Sequence, residues 1–376
     1  MTAPLPTLPP DLVSLDDHER LAAQRLDPAV WAWLSGGAGD ELTLRANRQA
    51  WQAKRLSQRV LRPLAGGHTR CELLGRTLAH PILLAPVAYH RLAHPDGEYA
   101  TAQAAAALGA GMLLSTQSSV PVEAVAQAMR GDPGAGPLGF QLYLQPQRED
   151  TLALVERAEA AGCEALVLTV DAPVAGPRDR ERRVGFRLPP GVRAVHLDDL
   201  PQRGLPAPAT SGDPGASGPG SALFDGLLRH APTWDDVAWL RAHSRLPLLL
   251  KGVTHPDDAQ LALQAGAAGL IVSNHGGRTL DGLPATAELL PAVVAAVAGR
   301  CPVLVDGGIR RGGDVLKALA LGASAVLVGR PQLQALAVGG ALGVAQMLRL
   351  LRDELEIAMA LCGCATLADV GPSLLV

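Results

Sequence analysis

Cysteine is sparse in this 376-residue chain and unpatterned: Cys71, Cys163, Cys301, Cys362 and Cys364 contain no CxxC pair. No disulfide framework or zinc site can be built on that spacing, no metal is implied, and Cys362-Gly363-Cys364 is not read as a redox centre. A reducing compartment is the default for such a sequence. An excess of positive charge is also missing. Lys and Arg number 33 against 36 Asp and Glu, a net charge of −3, which argues against the basic footprint of a nucleic-acid binder. The Pro-rich first ten residues lack both the basic start and the apolar stretch of a secretory signal. No apolar run approaches the length of a membrane span. These absences lead to the expectation of a soluble, cytoplasmic protein with neither nucleic acid nor membrane as partner.

Apolar residues are plentiful at 48%, and a chain of this length can bury one large core. From Pro81 onward, short apolar runs alternate with Ala-rich helical stretches. The runs are Pro81–Ala88, Gly111–Ser115, Leu138–Leu144, Ala165–Asp171, Pro247–Val253, Gly269–Ser273, Pro302–Gly308 and Ala325–Arg330. Each is followed by a helical pattern, the last being Leu333–Met359. Continuous rather than alternating apolarity indicates strands buried on both faces, as in a parallel sheet. Eight βα units in series predict an α/β fold, a TIM (β/α)8 barrel. A doubly wound sheet is the alternative, but no GxGxxG follows the first strand. Residues 1–80 read as a helical cap, with Ser14 as an N-cap and Pro28 opening a second helix. Residues 81–359 form the barrel, and the whole chain reads as one domain. A long insertion after strand four, residues 172–233, reads as a lid, and its Gly/Pro-rich middle, Pro201–Ser221, as mobile or disordered.

The stretch after strand six, Ser273-Asn274-His275-Gly276-Gly277-Arg278-Thr279-Leu280-Asp281-Gly282, joins a base to a fixed cation on a glycine-bearing turn. Histidine can take a proton near neutral pH, and an arginine fork suits a carboxylate. The C-terminal strand ends, where such barrels build their sites, collect further polar groups. Pro86, Val87 and Ala88 follow strand one as a turn of small residues that lets a flat ligand approach. Strand two ends at Ser115, with Gln117 just beyond. Gln141 and Tyr143, then Thr169 and Asp171, share a face on strands three and four. Lys251 ends strand five. Asp306, Gly307, Gly308 and Arg310 follow strand seven, and Gly329 and Arg330 follow strand eight, where phosphate commonly binds. Unpaired charges are rare in barrel cores. The set therefore points to a ligand with a polar ring system and a phosphate.

These motifs resemble the FMN-dependent α-hydroxy-acid oxidases and dehydrogenases, from Ser14 to about Ala365. The resemblance is carried by Ser273–Asp281, by Asp306-Gly-Gly-Ile-Arg-Arg-Gly-Gly-Asp314 and by Gly322-Ala-Ser-Ala-Val-Leu-Val-Gly-Arg-Pro331. Gln141-Leu-Tyr143 and Thr169-Val-Asp171 add to it, and Ala85–Glu98 looks especially like the 4-hydroxymandelate oxidases. It implies FMN as cofactor and oxidation of an (S)-2-hydroxy acid, such as lactate, glycolate or mandelate, to the 2-oxo acid. It also implies O2 as acceptor, giving H2O2, and a homotetramer. By the same resemblance His275 is the base and Asp171 stabilises its imidazolium. Arg278, Arg178 and Tyr143 hold the substrate. Lys251 lies near the flavin N1–C2 carbonyl. Pro86, Val87, Ala88, Ser115, Gln141, Thr169 and Ser273 hold the ring and ribityl chain, and Asp306 through Arg310, with Gly329 and Arg330, take the ribityl chain and phosphate.

Several positions depart from the family pattern. Trp33 stands where many relatives carry a carboxylate-binding Tyr, and Gln117 where glycolate oxidases have a Trp. Pro177 and Val184 replace a common Arg and Asn of the lid motif. These changes bear on which acid is taken, with a hint of a larger, aromatic one. Three other readings compete: a dehydrogenase passing electrons to another acceptor, an isomerase of the type 2 isopentenyl diphosphate kind, and a flavin-binding protein without turnover.

Overall fold

Strand pairing closes on itself. In a computed structural model that describes residues 7–198 and 231–376, with positions 200, 221, 223, 224 and 228, three helices lead the chain: α1 (Leu15–Arg25), α2 (Pro28–Ser35) and α3 (Leu42–Ala53). An antiparallel hairpin follows, β1 (Cys71–Leu73) with β2 (Arg76–Leu78). The repeat begins with β3 (Ile82–Leu84), α4 (Gly97–Leu108), β4 (Gly111–Ser115), α5 (Val122–Arg130), β5 (Leu138–Leu142), α6 (Arg148–Ala161) and β6 (Ala165–Thr169). Two short helices, α7 (Asp179–Arg183) and α8 (Val195–Asp198), lie in the insertion. After α9 (Trp234–His243) come β7 (Leu248–Lys251), α10 (Pro256–Gln264), β8 (Gly269–Val272), α11 (Thr286–Val297), β9 (Val303–Val305), α12 (Gly312–Ala320), β10 (Ala325–Val328) and α13 (Arg330–Leu361). β10 pairs in parallel with β3, Val326 opposite Ile82, which completes an eight-stranded TIM barrel. Apart from Ser221, the Pro201–Ser221 stretch lies outside the described residues.

Both faces of each barrel strand are buried, and alternate residues serve two cores. Ile82, Leu84, Met112, Leu114, Phe140, Leu166, Leu250 and Val272 face the helical shell. Leu83, Leu113, Val167, Leu249, Ile271, Leu304 and Leu327 fill the barrel interior, joined by Leu73 and Leu78 of the hairpin. That hairpin is not evident from the apolar runs, because its strands have three residues each. All the barrel strands except β4 end earlier than their apolar runs. Residues 85–88, 143–144, 170–171, 252–253, 306–308 and 329–330 leave the ladder and turn over the mouth. They carry much of the polar set collected from the sequence.

The cap is held over the mouth by buried polar contacts. Ser14 caps α1 as its sequence position predicts, and Asp27 caps α2, which Pro28 opens as expected. Asn47 on α3 exchanges amide hydrogen bonds with Asn274, at 2.8 and 2.9 Å. Trp51 is wholly buried and its indole N–H donates to the Gly307 carbonyl at 2.7 Å. Truncating a buried tryptophan costs about 3–5 kcal/mol, so Trp51→Ala should unfold at a clearly lower temperature. An unchanged calorimetric midpoint would mean that this contact contributes nothing to stability.

One helix departs from the expectation about apolar length. By length and composition α13 could cross a membrane, yet 67% of its most apolar window is buried inside the protein. Its helical backbone is interrupted at Gly339 and Gly340, and it packs on α1, α4 and α12. Its apolarity serves the core.

A candidate active site at the barrel mouth

The turn after β8 is unusual in its backbone. His275, Gly276 and Gly277 have φ of 56°, 62° and 72°, three left-handed residues in succession. For a side-chain-bearing residue this conformation costs about 1–2 kcal/mol, so the surroundings must hold it. The Ser273 hydroxyl accepts from the His275 N–H at 3.0 Å, Ala38 N–H donates to the Gly277 carbonyl at 2.8 Å, and Arg330 donates to the Gly276 carbonyl at 2.8 Å. At Gly277 a Cβ would stand 2.6 Å from the Leu44 backbone nitrogen. The second glycine is therefore required for close approach of α3 as well as for its φ.

His275 Nδ1 lies 2.9 Å from Asp171 Oδ1. A carboxylate only accepts, so Nδ1 carries the proton and Nε2 offers its lone pair. Burial raises the Asp171 carboxyl, but the His275 hydrogen bond and the charge of Lys251, joined by that of the ring once it is protonated, outweigh it and hold the group below the usual carboxylate range. Beside them Lys251, almost wholly buried, contacts Asp306 at 3.1 Å and donates to the Ser273 hydroxyl at 2.8 Å. Burial lowers this ammonium, while Asp306 and Asp171 more than compensate and keep it charged. Tyr143 is pushed up to about 12 by burial, so its hydroxyl stays protonated and can donate.

The guanidiniums are less free than their positions in the sequence suggest. Arg278 donates to the carbonyls of Trp33 and Gly36, at 2.7 and 2.9 Å, and to Glu181 at 2.9 Å. Its charged carbon sits 5.4 Å above the Trp33 ring. Burial, with Arg178 nearby, brings it down to about 10, still cationic at neutral pH. Arg178 reaches the same Glu181 at 3.4 Å. Glu181 was not singled out from the sequence. The available signal was its position three residues after Arg178, one helical turn away.

Arg330 is similarly engaged, and it too lines the cavity at the mouth. Among the described residues its side-chain hydrogen bonds all go to carbonyls, those of Leu34 at 3.1 Å, Gly276 at 2.8 Å and Gly36 at 2.7 Å. The reason is local, because α2 ends there and its last carbonyls need donors. An anion near Gly329-Arg330 would meet the backbone N–H groups opening α13. Arg310 contacts Gln334 at 2.9 Å and Glu19 at 3.4 Å, and also lines the cavity.

Around these groups lies a cavity of about 2140 Å³. Small-molecule pockets are typically about 300–1,000 Å³, so it has room for more than a small acid. Pro86, Val87, Ala88, Ser115, Gln117, Gln141, Thr169, Gly307, Gly308 and Gly329 line it. Two orphaned atoms test whether FMN suits this chamber. Gln141 is held through its oxygen by Ser115 and the Thr116 N–H, at 3.3 Å each, which leaves its buried Nε2 without a partner, and Asp306 Oδ1 is likewise unpaired. A donor and an acceptor, with Lys251 between strands, suit the polar edge and hydroxylated chain of a flavin. Trp33 stacks on Phe186 at 5.8 Å and tilts against Tyr89 at 6.2 Å, giving the chamber an aromatic wall. Phe186 and Tyr89 were not read from the sequence, since nothing in their spacing marks them.

Comparison with known proteins agrees with this geometry. A family model described as FMN-dependent dehydrogenase matches residues 22–376. An L-lactate oxidase of Alicycliphilus denitrificans is 50% identical over 98% of this chain and 97% of its own length. A 4-hydroxymandelate oxidase of Amycolatopsis orientalis is 48% identical over 94% and 95%. The crystal structure of a mandelate oxidase with (S)-2-phenylpropionate superposes with a TM-score of 0.84 at 44% identity, covering 97% of this chain and 98% of the other.

Proposed function

The chain belongs to the FMN-dependent dehydrogenase family, and from that premise we propose that it oxidises an (S)-2-hydroxy acid to the 2-oxo acid with O2 as acceptor, releasing H2O2. The observation that carries the reading is the His275–Asp171 pair at 2.9 Å facing a chamber walled by Arg278, Arg178 and Tyr143. Bound FMN supplies the two-electron acceptor for the Cα hydrogen. His275 Nε2 takes the hydroxyl proton, and Asp171 balances the imidazolium that results. Arg278 and Arg178 orient the carboxylate, and the protonated Tyr143 hydroxyl donates to the substrate. Pro86, Val87, Ala88, Ser115, Gln141, Thr169, Lys251 and Ser273 hold the flavin ring. Asp306, Gly307, Gly308 and Arg310, with the backbone of Gly329 and Arg330, hold the ribityl chain and phosphate.

The relatives are named for lactate, 4-hydroxymandelate and glycolate. Trp33, Phe186 and Tyr89 present an apolar surface to the substrate's side chain, which supports acids with an apolar substituent, from methyl to phenyl. The enzyme is further read as a cytoplasmic homotetramer. The five cysteines are free thiols, which suits a reducing compartment. Leu61, Val60, Ile357 and Leu361 are large apolar side chains on the surface, which suits self-association.

An anaerobic absorbance titration of the holoenzyme with glycolate, L-lactate and (S)-mandelate, followed by air, tests the reading. Bleaching of the flavin and fast recovery in air are expected. Bleaching with slow recovery would assign another acceptor, and a flavin that none of the acids bleaches would overturn hydroxy-acid oxidation.

A further inference from the structure

We infer that Glu181 sets the charge of the carboxylate subsite to match one anion, so that the pocket selects monocarboxylic over dicarboxylic 2-hydroxy acids. The inference rests on reading Arg278 and Arg178 as the carboxylate clamp. Two guanidiniums alone would present two positive charges, suited to a dianion. Glu181 stands against both, at 2.9 Å from Arg278 and 3.4 Å from Arg178, and its side chain is only 14% exposed. In such partial burial the three charges are weakly screened and act as a unit of net charge plus one. The other charges around His275 and Arg278 cancel among themselves. Lys251 is paired with Asp306 at 3.1 Å, while the Asp171 carboxylate beside the neutral His275 ring adds one negative charge and Arg330, which shares the Gly36 carbonyl with Arg278, adds one positive. One positive charge is left for the incoming acid.

Glu181 is a selector rather than a strut for Arg278, because that side chain has its own anchors in the Trp33 and Gly36 carbonyls. Nor is Glu181 free to swing out with substrate. Its helix, α7, is fixed to the cap by Arg180, which donates to Glu41 at 2.5 Å and to Ser35 at 3.0 Å. The preceding Pro177 carbonyl accepts from the Gly39 N–H at 2.8 Å. A second carboxylate on the substrate would therefore meet a fixed negative charge, and like-charge contact is the stronger part of specificity.

The test is binding, read from the perturbed absorbance of the bound flavin under anaerobic conditions. Oxalate serves as dianion and pyruvate as monoanion. Glu181→Gln should tighten oxalate relative to pyruvate by at least about tenfold, and Glu181→Asp, which keeps the charge, should hold the wild-type ratio. If Glu181→Gln tightens or weakens both anions equally, Glu181 competes for the site or props Arg278, and the inference is overturned. A ratio shifted as far by Glu181→Asp would assign the effect to shape and overturn it too. A wild-type flavin perturbed by neither anion would instead overturn the carboxylate-site reading beneath it.

Discussion

His275→Gln is expected to keep its FMN and to lose flavin reduction by the preferred acid about 10²–10⁴-fold, the usual contribution of a positioned general base. The glutamine amide can still donate to Asp171, so that carboxylate stays hydrogen-bonded and the fold should survive. What disappears is the lone pair that Nε2 presents once Nδ1 is bound to Asp171 at 2.9 Å. Stopped-flow reduction of the purified variant under anaerobic conditions measures this directly. An unaltered rate would remove His275 as the base, whatever its geometry. A variant that failed to retain FMN would show instead that the left-handed turn at 275–277 is needed to shape the flavin site.

Arg278→Met should have the second large effect, and in KM more than in kcat. Removing one member of a buried, hydrogen-bonded charge pair costs about 2–5 kcal/mol, or about 30- to 5,000-fold in affinity for the acid. Part of that loss comes from Glu181, whose carboxylate would keep only Arg178 at 3.4 Å. Methionine preserves the length of the stem and some of the contact with the Trp33 ring, so lost packing is minimised. Steady-state KM with L-lactate and (S)-mandelate gives the answer, and an unaltered KM would mean that the carboxylate is held elsewhere.

The sequence made the barrel legible because strands buried on both faces leave uninterrupted apolar runs, and the helices between them have their own period. The positions of His275, Asp171, Lys251 and Tyr143 followed from counting to the ends of those runs. The partners of the arginines did not. Arg330 donates to Leu34, Gly36 and Gly276, and Arg278 to Trp33 and Gly36, all backbone groups whose availability depends on where a distant helix stops. No side-chain pattern encodes a free carbonyl. The Trp33–Phe186 stack was hidden for a related reason, because its members come from the cap and the insertion, which approach only when the barrel is closed. The hairpin of β1 and β2 escaped because three residues are too few to establish a period of two.

The C-terminal end of α2 also bears on the order in which this enzyme matures. Gly36 waits for an arginine 242 positions later and another 294 positions later. At about 5–20 residues per second of synthesis, the first of these follows by about 12–48 s. Throughout that interval the cap has emerged while its carbonyls still lack their donors. The first helices made are thus among the last to be secured, and the aromatic wall at Trp33 takes its final form only as β10 completes the ring.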